Sequence, residues 1–507
     1  MKLTNIKLSD VFIFLAATVL PLFLWNKLQG VDNLYMYSHA EDMLANGLSR
    51  TTDIFSMHDG FAFSYQKWAA CILTYGIVKW FGWNGLTVAT YVLIFLILLC
   101  LYLFGLKFNP EHKNGNAIAI MVCAYLMEAN GTLRFRPHMF AGLLFIYMFY
   151  TIERYIKFEL TRGIGFYLRF IITSVILMWF HSTMWIMYVV VFLPYVMNFN
   201  FYGRSKLFLK KFYHIKPLLL SMVLMFIAGV LNPNGFTQYK YMLSCMMATG
   251  SKYSHVDELQ RMPFSAYMVL LTVGCLLLVW MIYMLMTYHV HIYVPSLYLI
   301  FGSLAMPLVS WRLVFYSALF LAIASMLYMR NISLKDFGCK SFVLPLGIII
   351  MSIVILLAGG MSRLFMSSAS KTALACGTKS QEIVDAVDFV AELNPNATVF
   401  TTTAHVGSYS IYRHLKPYMD CRAEVYDDAI NQQSDILSEI HGLSDNLYRD
   451  TKLDAGGIEL LQQEYRPDYY VLTKYSDADQ NIKAALDGCG ASLIFGTSDS
   501  EVWVYQY

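Results

Sequence analysis

The stretch that decides the fold is LTVATYVLIFLILLCLYLFGL, residues 86–106, which holds 21 consecutive positions without a charged side chain. A helix of roughly 20 apolar residues is long enough to cross the hydrocarbon core of a bilayer. The number of such apolar runs in the chain predicts a polytopic, mostly α-helical membrane bundle with about 11–13 spans. The other apolar runs lie near residues 11–25, 116–132, 139–152, 170–180, 184–198, 217–231, 264–288, 292–309, 313–329 and 341–359.

The composition supports this class and shows that the two parts of the chain differ. Of the 507 residues, 57% are hydrophobic and only 14% are charged, whereas soluble proteins carry about 25% charged residues. Residues 360–507 contain 11 Lys and Arg against 21 Asp and Glu, while residues 1–359 contain 26 against 13. The composition therefore excludes an ordinary soluble enzyme. It predicts a transmembrane domain over 1–359 and an acidic, water-soluble domain over 360–507.

Basic residues cluster in every second connection between the apolar runs. By the positive-inside rule, these connections and the N-terminus lie in the cytoplasm, and the acidic tail lies outside the cytoplasmic membrane. The segment Lys67–Gly82 carries two lysines and is short, which favours an interfacial or re-entrant helix over a span. The basic connections contain Lys107 and Lys113, then Arg154, Lys157, Arg162 and Arg169, then Arg204, Lys206, Lys210, Lys211 and Lys216, then Arg330, Lys335 and Lys340.

The tail alternates segments of strand composition with segments of helical spacing. Residues 397–403, 469–473, 492–495 and 502–507 are typical of strands, and residues 382–393 and 435–443 are typical of helices. We therefore expect a small α/β domain of about 130 residues. Its most polar cluster, residues 420–428, is interpreted as a solvated strand–helix junction, with cation or sugar binding as the alternative.

The first outer connection, residues 28–63, is rich in acids. Asp32 comes a few residues after the first apolar run, where a carboxylate near the lipid headgroups can meet a lipid-borne substrate. The loop also contains Glu41, Asp42, Asp53 and Asp59. The alternative is a solvated loop whose acids have no chemical role.

Three arginines break the charge rule on the outer side. Arg134 and Arg136, followed by His138, lie between two apolar runs, and Arg312 lies alone between two others. Arginine suits phosphate because its planar guanidinium forms two parallel charge-assisted hydrogen bonds. His181 marks a further outer turn, where a structural role is the commoner one. The alternative for the arginines is snorkelling to lipid headgroups.

Together, these exceptions predict an outward-opening pocket for an anionic lipid phosphate, next to a carboxylate base. That combination suits transfer of a sugar from a polyprenyl-linked donor, in which the base takes a proton from the acceptor. The arginines would stabilise the leaving phosphate, and a divalent cation is left open as a cofactor. No basic arm for nucleic acid and no Walker, GxGxxG or HExxH motif is present.

The same residues resemble a broad group of bacterial multispanning proteins related to GT-C glycosyltransferases. The match covers most of the chain in the same order, and two positions depart from the group's pattern, since Met36 replaces a common His and Cys421 replaces a Gly. The matching motifs are Asp32-Asn-Leu-Tyr35, Ala45-Asn-Gly47, Arg50-Thr-Thr-Asp53-Ile-Phe55-Ser56, Trp68, Arg136-Pro137-His138, Trp179-Phe-His181, Asn232-Pro233-Asn234-Gly235 and Asp420-Cys-Arg422-Ala-Glu424-Val-Tyr426.

The resemblance implies a GT-C-like fold, a polyprenyl-phosphate sugar donor and a catalytic acid in the first outer loop. By position that acid is Asp32, with Asp53 as second choice. The acceptor is a glycan, a lipid or a protein. Two other functions stay open at this stage: a flippase for lipid-linked saccharides, and a non-catalytic protein of envelope assembly. A transporter would favour internal repeats and charges at mid-membrane, and the sequence has neither.

Overall fold

The structure is a computed structural model of the 507-residue chain, and it describes residues 30–157, 159–160, 163–196, 206–247, 260–290, 292–330, 380–497 and 499–507. The described residues form two compact units. The membrane unit contains residues 90–231 and 260–330, and the loop–tail unit contains residues 30–89, 232–247 and 380–507. The predicted spans near 11–25 and 341–359, and the predicted domain boundary at 359/360, lie outside the described residues.

Before the tail, the regular structure of the described residues is helical apart from an isolated β-bridge between Thr52 and Ala62. Among the described residues, five helical segments are long and apolar enough to cross a membrane: Trp68–Phe108, Pro137–Ile156, Ile164–Val196, Phe264–Tyr288 and Trp311–Met329. The prediction of an integral membrane protein is therefore confirmed. In chain order the helices are α1 Asp32–Asn46, α2 Trp68–Phe108, α3 Lys113–Ala129, α4 Pro137–Ile156, α5 Ile164–His181, α6 Trp185–Val196, α7 Lys206–Ala228, α8 Thr237–Met247, α9 Phe264–Tyr288, α10 Val294–Val309 and α11 Val314–Met329.

Helix α2 is two helices joined at a kink. Gly82 adopts φ 65° and ψ −178°, a conformation outside the helical region that glycine reaches without a Cβ clash. Just before the kink, the side chains of Trp80 and Phe81 are 79% and 74% exposed. The sequence prediction of a separate short helix over 67–82 is confirmed in this respect, and its position at the membrane surface stays a prediction.

A buried ion pair lies at the end of α4 in the membrane unit. The carboxylate of Glu153 is fully buried and accepts a hydrogen bond from Arg330 at 2.6 Å. The hydroxyls of Tyr195 and Tyr293 also donate to it, at 3.0 and 2.8 Å. A buried charge is tolerated only when it is paired and hydrogen-bonded, so this carboxylate joins the ends of four chain segments.

The tail is an α/β domain built on a five-stranded mixed sheet. The strand order is β2-β1-β5-β7-β6, with β1 parallel to β2 and β5, and β7 antiparallel to β5 and β6. The prediction of this domain class is confirmed. Its elements are α12 Gln381–Leu393, β1 Thr398–Phe400, α13 Ala404–Tyr412, β2 Lys416–Pro417, a 3₁₀ turn Ala423–Tyr426, α14 Asp428–Asn431, α15 Ile436–Ser444, β3 Leu447–Tyr448, β4 Thr451–Lys452, α16 Ala455–Tyr465, β5 Tyr469–Thr473, α17 Asp477–Cys489, β6 Ser492–Phe495 and β7 Val502–Gln506.

Helix α1 packs into the core of this tail domain. Val31 and Leu34, 7% and 0% exposed, join the apolar cluster of α12, β1 and β5. The hydroxyl of Ser38 donates to the backbone carbonyl of Ile411 in α13 at 3.2 Å. Full burial of a leucine side chain is worth roughly 2 kcal/mol, so the loop contributes directly to the stability of the tail.

Candidate active site

Asp32 is the first residue of α1, and its side chain is 8% exposed. An acid in the first helical turn is stabilised by the partial positive charge of the helix N-terminus. One turn later, burial and the charge of Asp32 raise the pKa of Tyr35 well above its usual value. Lys67 donates a hydrogen bond to the Tyr35 hydroxyl at 3.0 Å. The candidate base thus lies beside a neutral phenol that an ammonium group orients.

A second carboxylate of α1 anchors the helix to the loop that follows. Arg50 donates two hydrogen bonds to Asp42, at 2.7 and 2.8 Å, and Tyr65 donates one at 2.5 Å. Burial alone would raise the pKa of Asp42, but these donors hold it below its usual value. The carboxylate therefore stays ionised and fixes both ends of the loop against α1.

Asp53 lies in a buried ion pair with Arg422 of the tail. Arg422 is 1% exposed and contacts Asp53 at 2.5 and 3.3 Å. Its guanidinium also donates to Asp420 at 2.7–3.1 Å, and Tyr426 donates to Asp420 at 2.5 Å. Burial opposes ionisation of Asp53, but the adjacent guanidinium and Ser56 lower its pKa. The oxygens of Asp53 are thus engaged in holding the tail.

This ion pair corrects the sequence interpretation of residues 420–428. The prediction of a solvated strand–helix junction is wrong, because Asp420 is 0% exposed and Arg422 is 1% exposed. The buried charge of Arg422 is compensated in part by the carboxylate of Asp53, which lies 369 positions away in the sequence. In the structure, the cation bound to the buried carboxylate of this cluster is the guanidinium of Arg422.

His39 lies beneath Tyr35 in an aromatic enclosure. Its ring centroid is 5.2 Å from that of Tyr35, 4.5 Å from Phe55 and 5.2 Å from Phe63. The Arg422 guanidinium faces the same two phenylalanine rings at 5.4 and 5.6 Å. Burial, together with the charge of Arg422, lowers the pKa of His39 well below its usual value, so the ring is neutral near pH 7. Its Nε2 makes no hydrogen bond within the described part of the chain.

The sequence reasoning did not identify Gln66, Lys67 and Glu424 as site residues. The amide of Gln66 donates to Glu424 at 3.3 Å, and the charge of Glu424 contributes, after burial and Asp32, to the raised pKa of Tyr35. In the sequence, Lys67 marks only the start of a short helix, and Glu424 lies only within a polar motif. The sequence motifs contain these residues, but only the folded structure shows that they lie around Tyr35.

The basic candidates lie together at one end of the membrane unit. Arg136 precedes α4, and the ring of His138 packs against Phe315 at 4.6 Å, with Nε2 at 2.8 Å from a backbone carbonyl. The turn that carries Arg312 is joined to the Arg134 loop by a hydrogen bond from Trp311 to Asn130 at 3.2 Å.

His181 ends α5 at the same end of this unit. The ring of its neighbour Phe180 packs on Phe140 of α4 at 4.6 Å, and the hydroxyl of Thr183 is 3.0 Å from its Nδ1. Arg134 and Arg136 are half-buried, and Arg312 is exposed. The structure therefore gathers the five basic candidates in the membrane unit and both acids in the loop–tail unit, and their roles stay predictions.

Within the described ranges, no group of three or more His, Cys, Asp or Glu side chains is placed to hold a metal ion. Asp42 is instead engaged by Arg50, and Asp53 and Asp420 are engaged by Arg422. The described residues therefore do not fit a metal site built from such side chains.

No protein-family model and no curated protein sequence matches the chain. Solved structures of the oligosaccharyltransferase AglB from the archaeon Archaeoglobus fulgidus do resemble it. The complex of AglB with an inhibitory peptide and a dolichol-phosphate has a TM-score of 0.60 at 12% identity, covering 92% of this chain and 69% of AglB. The enzyme tethered to an acceptor peptide gives 0.57 at 12% identity, covering 98% and 74%. A complex with zinc and sulfate gives 0.53 at 12% identity, covering 98% and 72%. The predicted GT-C-like fold, a helical membrane bundle followed by a soluble α/β domain, is thereby confirmed.

Proposed function

We propose that the chain is a membrane glycosyltransferase that moves a sugar from a polyprenyl-phosphate donor to an acceptor on the outer side of the cytoplasmic membrane. The observation that carries this proposal is the fold likeness to AglB over more than nine-tenths of the chain. AglB has been solved with a dolichol-phosphate and with an acceptor peptide. The likeness supports the reaction class.

Asp32 is the proposed base. As the acceptor hydroxyl or amide attacks the anomeric carbon, Asp32 takes its proton, and the new bond between the acceptor and that carbon forms. The bond between the anomeric carbon and the phosphate oxygen breaks, and its electron pair leaves with polyprenyl phosphate. A single displacement of this kind inverts the configuration at the anomeric carbon.

The surroundings of the two acids favour Asp32 over Asp53 as the base. Asp53 is held by Arg422 at 2.5 Å, and such a pair keeps a carboxylate ionised but occupies its oxygens. Asp32 instead lies near Tyr35, whose hydroxyl is already oriented by Lys67. We assign Asp53 a positioning role and keep it as the second candidate for the base.

The donor's phosphate is assigned to the basic candidates of the membrane unit. Arg134, Arg136 and Arg312 offer guanidinium groups that can stabilise negative charge as it develops on the leaving phosphate. His138 and His181 lie at the same end of the unit and complete the proposed set. The proposal includes an outer location for this end and for the tail, with the N-terminus in the cytoplasm, as the charge distribution predicts.

The test is release of polyprenyl phosphate by the purified full chain, supplied with a panel of polyprenyl-phosphate monosaccharides and candidate acceptors. Asp32→Asn is expected to lower the rate by about 10²–10⁴-fold, the usual worth of a general base. Asp59→Asn, an exposed acid of the same loop, is the matched control and should keep the wild-type rate. A folded Asp32→Asn protein with full activity would remove Asp32 from the mechanism. Movement of the intact donor across the membrane without release of polyprenyl phosphate would favour the flippase instead.

A further inference from the structure

A patch of polar side chains surrounds the Tyr35 hydroxyl, and all of it lies within the loop–tail unit. We call Asp32, Tyr35, Gln66, Lys67 and Glu424 the Tyr35 patch. Lys67 donates to Tyr35 at 3.0 Å, and Gln66 donates to Glu424 at 3.3 Å. Lys67 and Glu424 are half-buried, so both keep surface that a ligand can reach. The patch draws on two regions of the chain, the first outer loop and the tail.

The charges of the patch select the kind of ligand. Two carboxylates and one ammonium leave a net negative charge, which disfavours a phosphate or another anion. Carboxylates accept hydrogen bonds from hydroxyl groups, while an ammonium and an amide nitrogen donate them. A neutral sugar, with several hydroxyls that both donate and accept, meets these requirements.

The position of Glu424 is fixed by its neighbours. It belongs to the 3₁₀ turn Ala423–Tyr426, and Arg422 and Tyr426 on either side of it are both bonded to the buried Asp420. The turn is therefore held by fully buried groups while its glutamate stays half-exposed. A binding group held in this way loses little conformational freedom when a ligand arrives.

An orphaned polar atom lies beside the patch. His39 is seven residues after Asp32, so both lie on one face of α1, and the His39 ring contacts that of Tyr35 at 5.2 Å. His39 is 4% exposed, and its Nε2 makes no hydrogen bond to any residue of the described ranges. Buried polar atoms are almost always paired with protein or water, and a hydroxyl group is a suitable partner for this nitrogen.

We propose that the Tyr35 patch is a subsite for a neutral, hydroxyl-rich sugar, and that Glu424 and Gln66 are the residues that recognise it. The inference rests on the proposed glycosyl transfer, and it adds that the tail supplies part of the sugar site. The same chemistry can come from the sugar of the lipid-linked donor or from a saccharide acceptor.

The experiment measures equilibrium binding to the full chain in lipid nanodiscs. The probes are polyprenyl phosphate alone, polyprenyl phosphate carrying one hexose, and a soluble trisaccharide of hexoses. Wild-type protein is expected to prefer at least one sugar-bearing probe, either the hexosyl lipid over the bare lipid or the trisaccharide over buffer. Glu424→Gln and Glu424→Ala should weaken that preference by about 10–100-fold, the worth of a hydrogen bond to a charged group. Binding of bare polyprenyl phosphate should not change, which also shows that the variants are folded.

Glu459→Gln is the matched control. Glu459 accepts from the amide of Gln463 at 3.3 Å, the same pairing and distance as in the Gln66–Glu424 pair, but on an exposed face of the tail. This variant should bind all probes as the wild type does. Loss confined to the hexosyl lipid places the donor sugar in the subsite, and loss confined to the trisaccharide places the acceptor there.

A wild type with no preference for any sugar, or Glu424 variants that keep it, would overturn the subsite. Binding that depends on Glu424 in a protein that never releases polyprenyl phosphate would instead contradict the proposed transfer and leave the subsite standing. If the wild type transfers the sugar but the Glu424 variants bind sugar normally, the proposed transfer stands and the subsite is refuted.

Discussion

Removing the Arg422 guanidinium should destabilise the loop–tail unit more than removing either of its carboxylate partners. In the wild type Arg422 binds Asp53 at 2.5 Å and Asp420 at 2.7 Å, and all three side chains are at most 1% exposed. Arg422→Met leaves two buried carboxylates beside each other without a cation. Asp53→Asn removes one charge only, and Arg422 keeps its hydrogen bonds to Asp420.

The expected size follows from what is left unpaired. Breaking a buried ion pair by removing one partner costs about 3–5 kcal/mol, because the remaining charge stays in a low-dielectric environment. Arg422→Met belongs at the upper end of that range, and Asp53→Asn below it. The double variant should be less destabilised than the sum of the single variants, with a coupling energy of about 1–3 kcal/mol. For a domain of this size, 4 kcal/mol corresponds to a shift in Tm of about 10 °C.

The coupling should also depend on pH with a definite sign. Arg422 lowers the pKa of Asp53 in the folded state, against an unfolded value of about 3.9. The stabilisation of the folded state by the Asp53–Arg422 pair is therefore complete above about pH 4. It is lost as the pH falls through the pKa of Asp53 in the folded state, which is lower than the unfolded value.

The assay compares four proteins in nanodiscs: the wild type, Arg422→Met, Asp53→Asn and the double variant. Their thermal unfolding is monitored by the loss of protease resistance of the tail. Measurements at pH 7 and at a series of falling pH values below pH 4 follow the coupling energy as Asp53 becomes protonated in the folded protein. Additive effects of the two substitutions at pH 7, or a coupling that grows as the pH falls, would refute the ion pair as the link between loop and tail.

Two further substitutions test the packing of each unit. Gly407→Ala would place a Cβ 1.7 Å from a backbone carbonyl oxygen, so the tail should lose its protease resistance, whereas Gly488→Ala, with nothing within 4 Å of its Cβ, should be neutral in the same digestion assay. Glu153→Gln should lower the Tm of the detergent-solubilised protein by several degrees because it leaves Arg330 buried without its carboxylate. Glu159→Gln, which breaks an ion pair at the solvent-accessible surface, should change the free energy of unfolding by less than about 1 kcal/mol and the Tm correspondingly little.

The elements of the fold could be predicted because their signals are local. The strand Tyr469–Thr473 has β-branched or aromatic residues at four of its five positions, and the structure buries all five residues at the predicted bounds. The helix Gln381–Leu393 shows the apolar spacing of an amphipathic helix, and Ile383, Val387 and Val390 are fully buried on that face. In each case the chain needs no distant partner to reveal its conformation.

The composition of the candidate site could be predicted only in pieces. Asp53 and Arg422 were each part of a recognised motif, but nothing in either motif indicates that the two form one ion pair across 369 positions. Lys67 and Glu424 were missed for the same reason, since a half-buried charge looks in the sequence like any surface charge. Long-range pairing of polar groups is set by the packing of the units, and periodicity carries no information about it.

The loop that contains Asp32 is attached to the tail at two places, and these two contacts fix the position of Asp32. At one end of the loop, Val31 and Leu34 are buried in the tail's apolar core, directly beside Asp32 in sequence. At the other end, Asp53 is bound by Arg422. Without the tail, the first anchor would expose apolar side chains and the second would lose its counter-charge, so α1 would have no fixed position. The acid of the loop and the tail domain therefore act as one structural element, and an assay of the membrane helices alone would not test the chemistry proposed for Asp32.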